Sequence, residues 1–88
     1  MMLTHTLHAQ IRKQQRAIPA ICEKLLDEYG AEEYDHHGAI KVYFNKKSIK
    51  KMEREFGAKF VREIKKYLNV YMVKSVSEGK IITIGWVH

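Results

Sequence analysis

Apolar side chains recur every three or four residues along the first thirty positions of the chain. They are Leu3, Leu7, Ile11, Ile18, Ile21, Cys22, Leu25 and Tyr29. This spacing predicts an amphipathic helical segment over residues 1–30. Thr4 or Thr6 can cap its start and Gly30 its end. Pro19 removes a backbone donor and crowds the preceding turn, so we expect either a kink just before it or two helices with Pro19 in the first turn of the second.

Apolar side chains recur with a two-residue period in the segment that follows Gly38. Large apolar side chains occupy every second position in Ala39–Phe44, which predicts a half-buried strand. Two further runs, Val70–Val76 and Lys80–Val87, are rich in β-branched and aromatic residues. Since residues 77–79 join them as a short polar turn, these runs predict a hairpin.

Between these strands, an apolar stripe predicts one or two more helices. The stripe consists of Ile49, Met52, Phe56, Phe60, Ile64 and Leu68. Ser48 can cap its start. The stripe keeps helical phase through Gly57, so periodicity alone does not separate one long helix from two. Because glycine inside a helix costs about 1 kcal/mol relative to alanine, we favour a turn at Gly57 and a new helix from Lys59.

These elements predict one α+β domain over residues 1–88, in the order helix, strand, helical segment, strand, strand. A kinked helical segment, 1–30, precedes a region, 38–87, in which helices pack on a three-stranded sheet. Eighty-eight residues suffice for one core and are too few for two. Because so short a chain buries a limited share of its surface, a homodimer that shares part of the core is also compatible with the sequence.

The cysteine count and the apolar runs indicate where the protein works. Cys22 is the only cysteine, which excludes an intramolecular disulfide and favours a reducing compartment. No apolar run approaches the ~20 residues that span a bilayer. Residues 1–10 contain no apolar run of signal-peptide length. We therefore expect an unprocessed, soluble, cytoplasmic protein without a membrane partner.

The positive charge is concentrated in one segment. The formal net charge is +6, and residues 46–68 alone hold nine Lys and Arg against three Glu, a balance of +6. The nine basic residues are Lys46, Lys47, Lys50, Lys51, Arg54, Lys59, Arg62, Lys65 and Lys66. Local pairing with the three glutamates would make this a solvated helix face. The excess of cations instead favours phosphate contact, and so predicts a small domain, regulatory or otherwise, that binds DNA or RNA through these residues.

A protein-interaction module is the alternative from another functional class. In that interpretation the chain is a small inhibitor or adaptor, and the basic segment docks on an acidic protein partner. Salt-sensitive binding to nucleic acid separates the two functions, because the release of counterions from phosphates makes such binding weaken steeply with salt.

With a turn at Gly57, the element order of residues 38–87 resembles a winged helix domain. The resemblance implies that Ser48–Phe56 is the supporting helix and that Lys59–Leu68 is the recognition helix, which enters the major groove. It also implies that the hairpin around residues 77–79 is the wing.

The stretch GAKFVREIKKYLNVYMVKSVSEGKIITIGW also resembles the second helix and the following strands of a KH domain. In that family, a Gly-x-x-Gly loop lets the backbone approach the nucleic acid closely. Gly57 matches the second loop glycine, whereas Arg54 stands in the place of the first. The resemblance therefore implies RNA or DNA binding without carrying over the complete loop.

The histidines are the remaining candidates for chemistry. His5 and His8 lie three residues apart and His36 and His37 are adjacent, but neither pair has a cysteine or carboxylate at a recognised ligand spacing. We therefore expect no metal and no other cofactor. Asp35 with His36 and His37 offers an acid and a base to a small ribonuclease, the third functional alternative. Without a phosphate loop or paired carboxylates, a function other than catalysis is favoured.

Three aromatic residues lie on predicted strands, namely Tyr43, Tyr71 and Trp86. If they share an exposed face of the sheet, they can stack on unpaired bases. Otherwise they are half-buried packing residues.

Overall fold

The structure, a computed structural model, describes residues 5–87. Its helices are α1 (Leu7–Gln15), α2 (Ala20–Tyr29), α3 (Lys46–Phe56) and α4 (Ala58–Glu63), followed by a 3₁₀ turn at Lys65–Tyr67. Its strands are β1 (Ala31–Tyr34), β2 (Ala39–Tyr43), β3 (Val70–Ser75) and β4 (Ile81–Trp86). The predicted apolar position Leu3 and the candidate cap Thr4 lie outside the described residues. None of the helices in residues 5–87 has the length and apolar character needed to cross a membrane.

The strands form one antiparallel sheet in the order β1-β2-β3-β4. The fold is α+β as predicted, but the prediction of three strands is wrong. The fourth strand is β1, which pairs with β2 from Ala31 opposite Tyr43 to Tyr34 opposite Ile40. Its sequence, AEEY, shows no apolar alternation because three of its four side chains are exposed. As an edge strand, it is held by backbone hydrogen bonds to β2, which leave no trace in hydrophobic periodicity.

Helix α2 lies between the sheet and the α3–α4 pair. Toward the sheet, Cys22 and Leu26 pack with the strand residues Val42, Val70, Met72, Ile81 and Ile84. On its other side, Leu25 packs with Met52 of α3 and Val61 of α4. The basic helical segment therefore packs mainly on α2, rather than directly on the sheet as predicted.

The N-terminal segment forms two separate helices. Thr6 caps α1, since its side chain accepts a hydrogen bond from the backbone N–H of Ala9 at 3.2 Å. The chain then reverses through Ala17, whose φ of 51° is unusual for a residue with a side chain. Pro19 is the N-cap of α2, one position before its first turn. Two helices rather than a kink therefore accommodate the proline.

The helical segment between β2 and β3 breaks at Gly57, so the two-helix interpretation is confirmed. Gly57 has φ 92° and ψ 160°, a backbone region that essentially only glycine occupies. Its N–H closes the last turn of α3 on the carbonyl of Glu53 at 2.8 Å, and α4 begins directly after it, at Ala58. Asn45, not Ser48, is the N-cap of α3, and Ser48 completes a capping box with it.

Substitution of Gly57 by alanine should lower the free energy of unfolding by about 1–3 kcal/mol, because alanine does not readily adopt this backbone geometry. A Cβ at position 57 would meet no atom within 4 Å, so the cost arises from the backbone alone. Urea denaturation measures the change.

The sign of the stability change in Gly57→Ala distinguishes two helices from one. In one continuous helix over residues 46–63, the same Gly57→Ala change would instead raise stability by about 1 kcal/mol. Ala58→Gly is the matched control at the next, exposed position, and should cost no more than about 1 kcal/mol.

Candidate nucleic-acid interface

Five of the nine predicted basic residues lie on one side of α3. At about 100° per residue, they span an arc of about 140°. They are Lys46, Lys47, Lys50, Lys51 and Arg54. Ser48 and Met52, on the opposite side, are buried. Because α2 covers the apolar side of α3, its cations face outward.

The other four basic residues continue along the same helical unit. Lys59 and Arg62 lie on α4, and Lys65 and Lys66 lie in the 3₁₀ turn. All nine side chains are exposed. The surface that these nine residues form on the α3–α4 unit and the following turn is termed the basic face.

The cations of the basic face have no acidic partners within the described part of the chain. None of the nine lies within 4.0 Å of a described carboxylate, although three glutamates occur in the same segment. The lysines that do form ion pairs, Lys13, Lys74 and Lys80, lie outside the segment. The ion pairs with local glutamates that a solvated, paired helix face would require are therefore not formed among the described residues. The cations are available to an anionic partner.

An exposed aromatic side chain lies at the end of α3, on the apolar side of the helix. Phe56, the last residue of α3, is 48% exposed. Its ring centroid lies 4.8 Å from that of Phe60 and 5.8 Å from that of Tyr29. The apolar stripe predicts a buried Phe56, whereas in the structure the rings of Tyr29 and Phe60 cover only part of it.

A shallow cleft of about 440 Å³ opens beside this aromatic cluster. It is lined by Tyr29, Lys51, Arg54 and Glu55. Desolvation, together with the charges of Glu55 and Glu28, raises the pKa of Tyr29. The phenol can donate a hydrogen bond at neutral pH. The cleft offers donors and an acceptor next to exposed cations.

The N-terminal histidine candidates do not come together as a metal site. The Nε2 atom of His5 lies 2.7 Å from a carboxylate oxygen of Glu23, and the Nζ atom of Lys13 lies 3.1 Å from the other oxygen. Glu23 is only 4% exposed, whereas His8 is exposed. In residues 5–87, no group of three His, Cys, Asp or Glu is placed to hold a metal ion. Sequence reasoning missed Glu23, because a single glutamate beside an apolar stripe carries no signal of burial.

Asp35 and the two adjacent histidines form the turn between β1 and β2. One carboxylate oxygen of Asp35 accepts hydrogen bonds from the backbone N–H groups of His37 at 2.7 Å and Ala39 at 3.0 Å. His36 has a positive φ of 63°, and its ring lies edge-on to Tyr34 at 5.1 Å. The residues of the ribonuclease alternative are thus exposed, and the carboxylate stabilises the turn.

Two of the three strand aromatics share the outer face of the sheet. Tyr43 and Tyr71 are directly opposite each other on β2 and β3. Trp86 instead stacks on Tyr67 with ring centroids 6.3 Å apart, and its Nε1–H donates to the carbonyl of Arg16 at 2.9 Å. The condition for base stacking is therefore met by the two tyrosines and not by the tryptophan.

Comparison with known proteins finds no matching family model, curated protein or solved structure. The resemblances to winged helix and KH domains stay predictions. The predicted recognition helix, Lys59–Leu68, is in the structure the six-residue α4 followed by the 3₁₀ turn. The function is therefore inferred from the geometry of the site.

The β1–β2 turn should loosen only at a pH below the ordinary pKa of an aspartate. Hydrogen bonds from the backbone of His37, and then of Ala39, lower the pKa of Asp35. A carboxylate with a lowered pKa in the folded state contributes stability above its unfolded pKa, and this contribution is lost as pH falls through the lowered value. The amide proton shifts of both donor residues, followed by NMR, should therefore titrate below the ordinary carboxyl range and lose this transition in Asp35→Ala. A transition at or above the ordinary aspartate pKa would contradict this account.

Proposed function

We propose that this domain binds nucleic acid through the basic face, by contact between its cationic side chains and phosphate groups. One observation carries the proposal: nine exposed cations lie on one helical unit, and none is within 4.0 Å of a described carboxylate. Neutralising phosphates releases condensed counterions, so a surface of this kind gains affinity from every contact. The proposal assigns no catalytic step to the domain.

The aromatic residue at the end of α3 supports the same function. Phe56 offers an exposed ring for stacking on a base or sugar. Its neighbour Tyr29, with ring centroids 5.8 Å apart, lines the cleft in which Lys51 and Arg54 are placed for phosphates. A membrane surface fits less well, because Met52 and Val61, on the apolar side of the segment, are packed on α2.

A protein-interaction module is the second candidate. The observation that favours it is an apolar pair on α1, where Leu7 is 72% and Ile11 is 45% exposed. Residues four apart lie on the same side of a helix, so these side chains form a small apolar surface. In this interpretation the basic face docks on an acidic protein.

Reversal of two central charges of the basic face, in K50E/R54E, should lower nucleic-acid affinity by more than about tenfold at low salt. Because two phosphate contacts are lost, the slope of log affinity against log salt should become shallower by roughly 1.8 on duplex DNA and roughly 1.4 on a single strand. Fluorescence anisotropy with labelled duplex DNA and labelled single-stranded RNA, at several salt concentrations, measures both quantities.

The matched control is K24E/K80E, which reverses two exposed lysines outside the basic face. Each reversal changes the charge by −2, so both double variants carry +2 instead of +6. Equal losses in both variants would show that net charge alone drives binding. If the wild-type protein binds neither nucleic acid at low salt, the proposal fails and the protein-interaction module takes its place.

A further inference from the structure

The outer face of the sheet is the side turned away from the helices. Val42 of β2, Met72 of β3 and Ile84 of β4 point inward and form the core with α1 and α2. Successive residues of a strand point to opposite faces, so Tyr43 and Tyr71 lie on the outer side. Both rings are partly exposed, and no helix of residues 5–87 contributes core packing on this side.

Two tyrosine rings and a lysine form the centre of this face. Tyr43 and Tyr71 are a directly opposed cross-strand pair. The exposed Lys41 extends over both rings, with its Nζ atom 5.8 Å from the centroid of Tyr43 and 5.5 Å from that of Tyr71. The two aromatic surfaces thus lie side by side with one exposed cation above them.

A second cation lies on the other side of Tyr71. Gly85 of β4 is opposite Tyr71, and a Cβ at this position would collide with the guanidinium of Arg16 and lie 3.2 Å from the tyrosine ring. Nη1 of Arg16 donates to the carbonyl of Ile84 at 2.6 Å, which fixes the guanidinium at the edge of the sheet. Because Gly85 has no side chain, the guanidinium of Arg16 can lie beside the ring of Tyr71 on the outer face.

A cleft continues from the tyrosine pair toward one end of the sheet. Its volume is about 320 Å³, and its lining includes Lys41, Tyr43, Glu33, Asn69 and Val87. A carboxylate and a side-chain amide are the groups that proteins use to accept from and donate to the edges of bases. The cleft therefore adds hydrogen-bonding groups next to an aromatic surface.

We infer that this outer face, termed the tyrosine platform and defined by Lys41, Tyr43 and Tyr71, binds unpaired bases of single-stranded nucleic acid. Neighbouring bases stack on the two rings, and Lys41 moves from the rings to a phosphate. Paired bases of a duplex are stacked inside the helix and do not reach the platform. The inference goes beyond the proposed function, because the sheet and α2 separate the platform from the basic face.

The charges on the platform select this occupant over a second copy of the chain. In a two-fold self-association through this face, Lys41 and Arg16 would approach the same cations of the copy. Glu33 is the acidic residue among those that line the cleft, so burial of two cations from each copy would be poorly compensated. A single strand supplies both phosphates and ring faces, which suits cations interleaved with aromatic side chains.

The test uses the full chain and a labelled single strand of about 12 nucleotides, with a duplex of the same composition for comparison. Tyr43→Ala and Tyr71→Ala should each weaken single-strand binding by about 5- to 150-fold, the range measured for loss of one stacked base. The salt slope should not change, because no phosphate contact is removed. Duplex binding should stay as in the wild-type protein.

Three variants keep the test independent of folding. Tyr71→Phe retains the ring and should retain affinity. Lys41→Glu changes an exposed residue and should weaken single-strand binding while making its salt slope shallower by about 0.7. Tyr34→Ala removes a 48% exposed tyrosine on the opposite face of the sheet and should have no effect.

The inference is overturned if folded Tyr43→Ala, Tyr71→Ala and Lys41→Glu all bind the single strand as tightly as the wild-type protein. It is also overturned if Tyr71→Ala converts a dimer to a monomer without changing affinity, since a second copy then occupies the face. Loss of duplex binding in K50E/R54E, with unchanged single-strand binding in the tyrosine variants, would refute the platform and leave the proposed function intact. Unchanged duplex binding in K50E/R54E, with weakened single-strand binding in the tyrosine variants, would refute the proposed function of the basic face and leave the platform intact.

Discussion

The packing of α2 on two sides is the interaction on which the rest of the structure depends. Leu26 and Cys22 fill the space above the sheet, and Leu25 fills the space beneath α3 and α4. A fully buried leucine contributes about 1.5–3 kcal/mol, a large share of the 5–15 kcal/mol that typically stabilises a domain. In a chain of 88 residues, one helix thus joins two small apolar clusters that would be marginal alone.

Both candidate interfaces follow from this arrangement. Because α2 takes up the apolar side of α3 and α4, the cations of these helices face solvent and form the basic face. Because all core packing of α1 and α2 is on the inner side of the sheet, Tyr43 and Tyr71 are left on an open outer side. The interfaces differ in the contacts they offer, since one is mainly cationic and the other combines rings with one lysine.

A buried carboxylate joins the N-terminal elements of the molecule. Removing Glu23 from water is costly unless its carboxylate is paired. Nζ of Lys13 lies 3.1 Å from one carboxylate oxygen, and Nε2 of His5 lies 2.7 Å from the other. These contacts connect His5, which lies two residues before α1, with α1 and α2. The position of α1 is therefore determined by polar contacts as well as by packing, while Leu7 and Ile11 of its predicted apolar stripe stay exposed.

The sequence by itself determined the elements whose side chains recur with a regular period and the concentration of charge in residues 46–68, and it favoured the break at Gly57 without deciding it. These are local properties, because the period of a helix or strand and the backbone needs of glycine are expressed within a few neighbouring residues. Only the tertiary structure decided that Ala31–Tyr34 is a strand, since an exposed edge strand is specified by its pairing partner. It alone decided that Phe56 is uncovered and that Tyr43 shares an open face with a residue 28 positions later in the chain. Such juxtapositions depend on which surfaces α2 covers, and this contact between distant segments has no signature in local sequence.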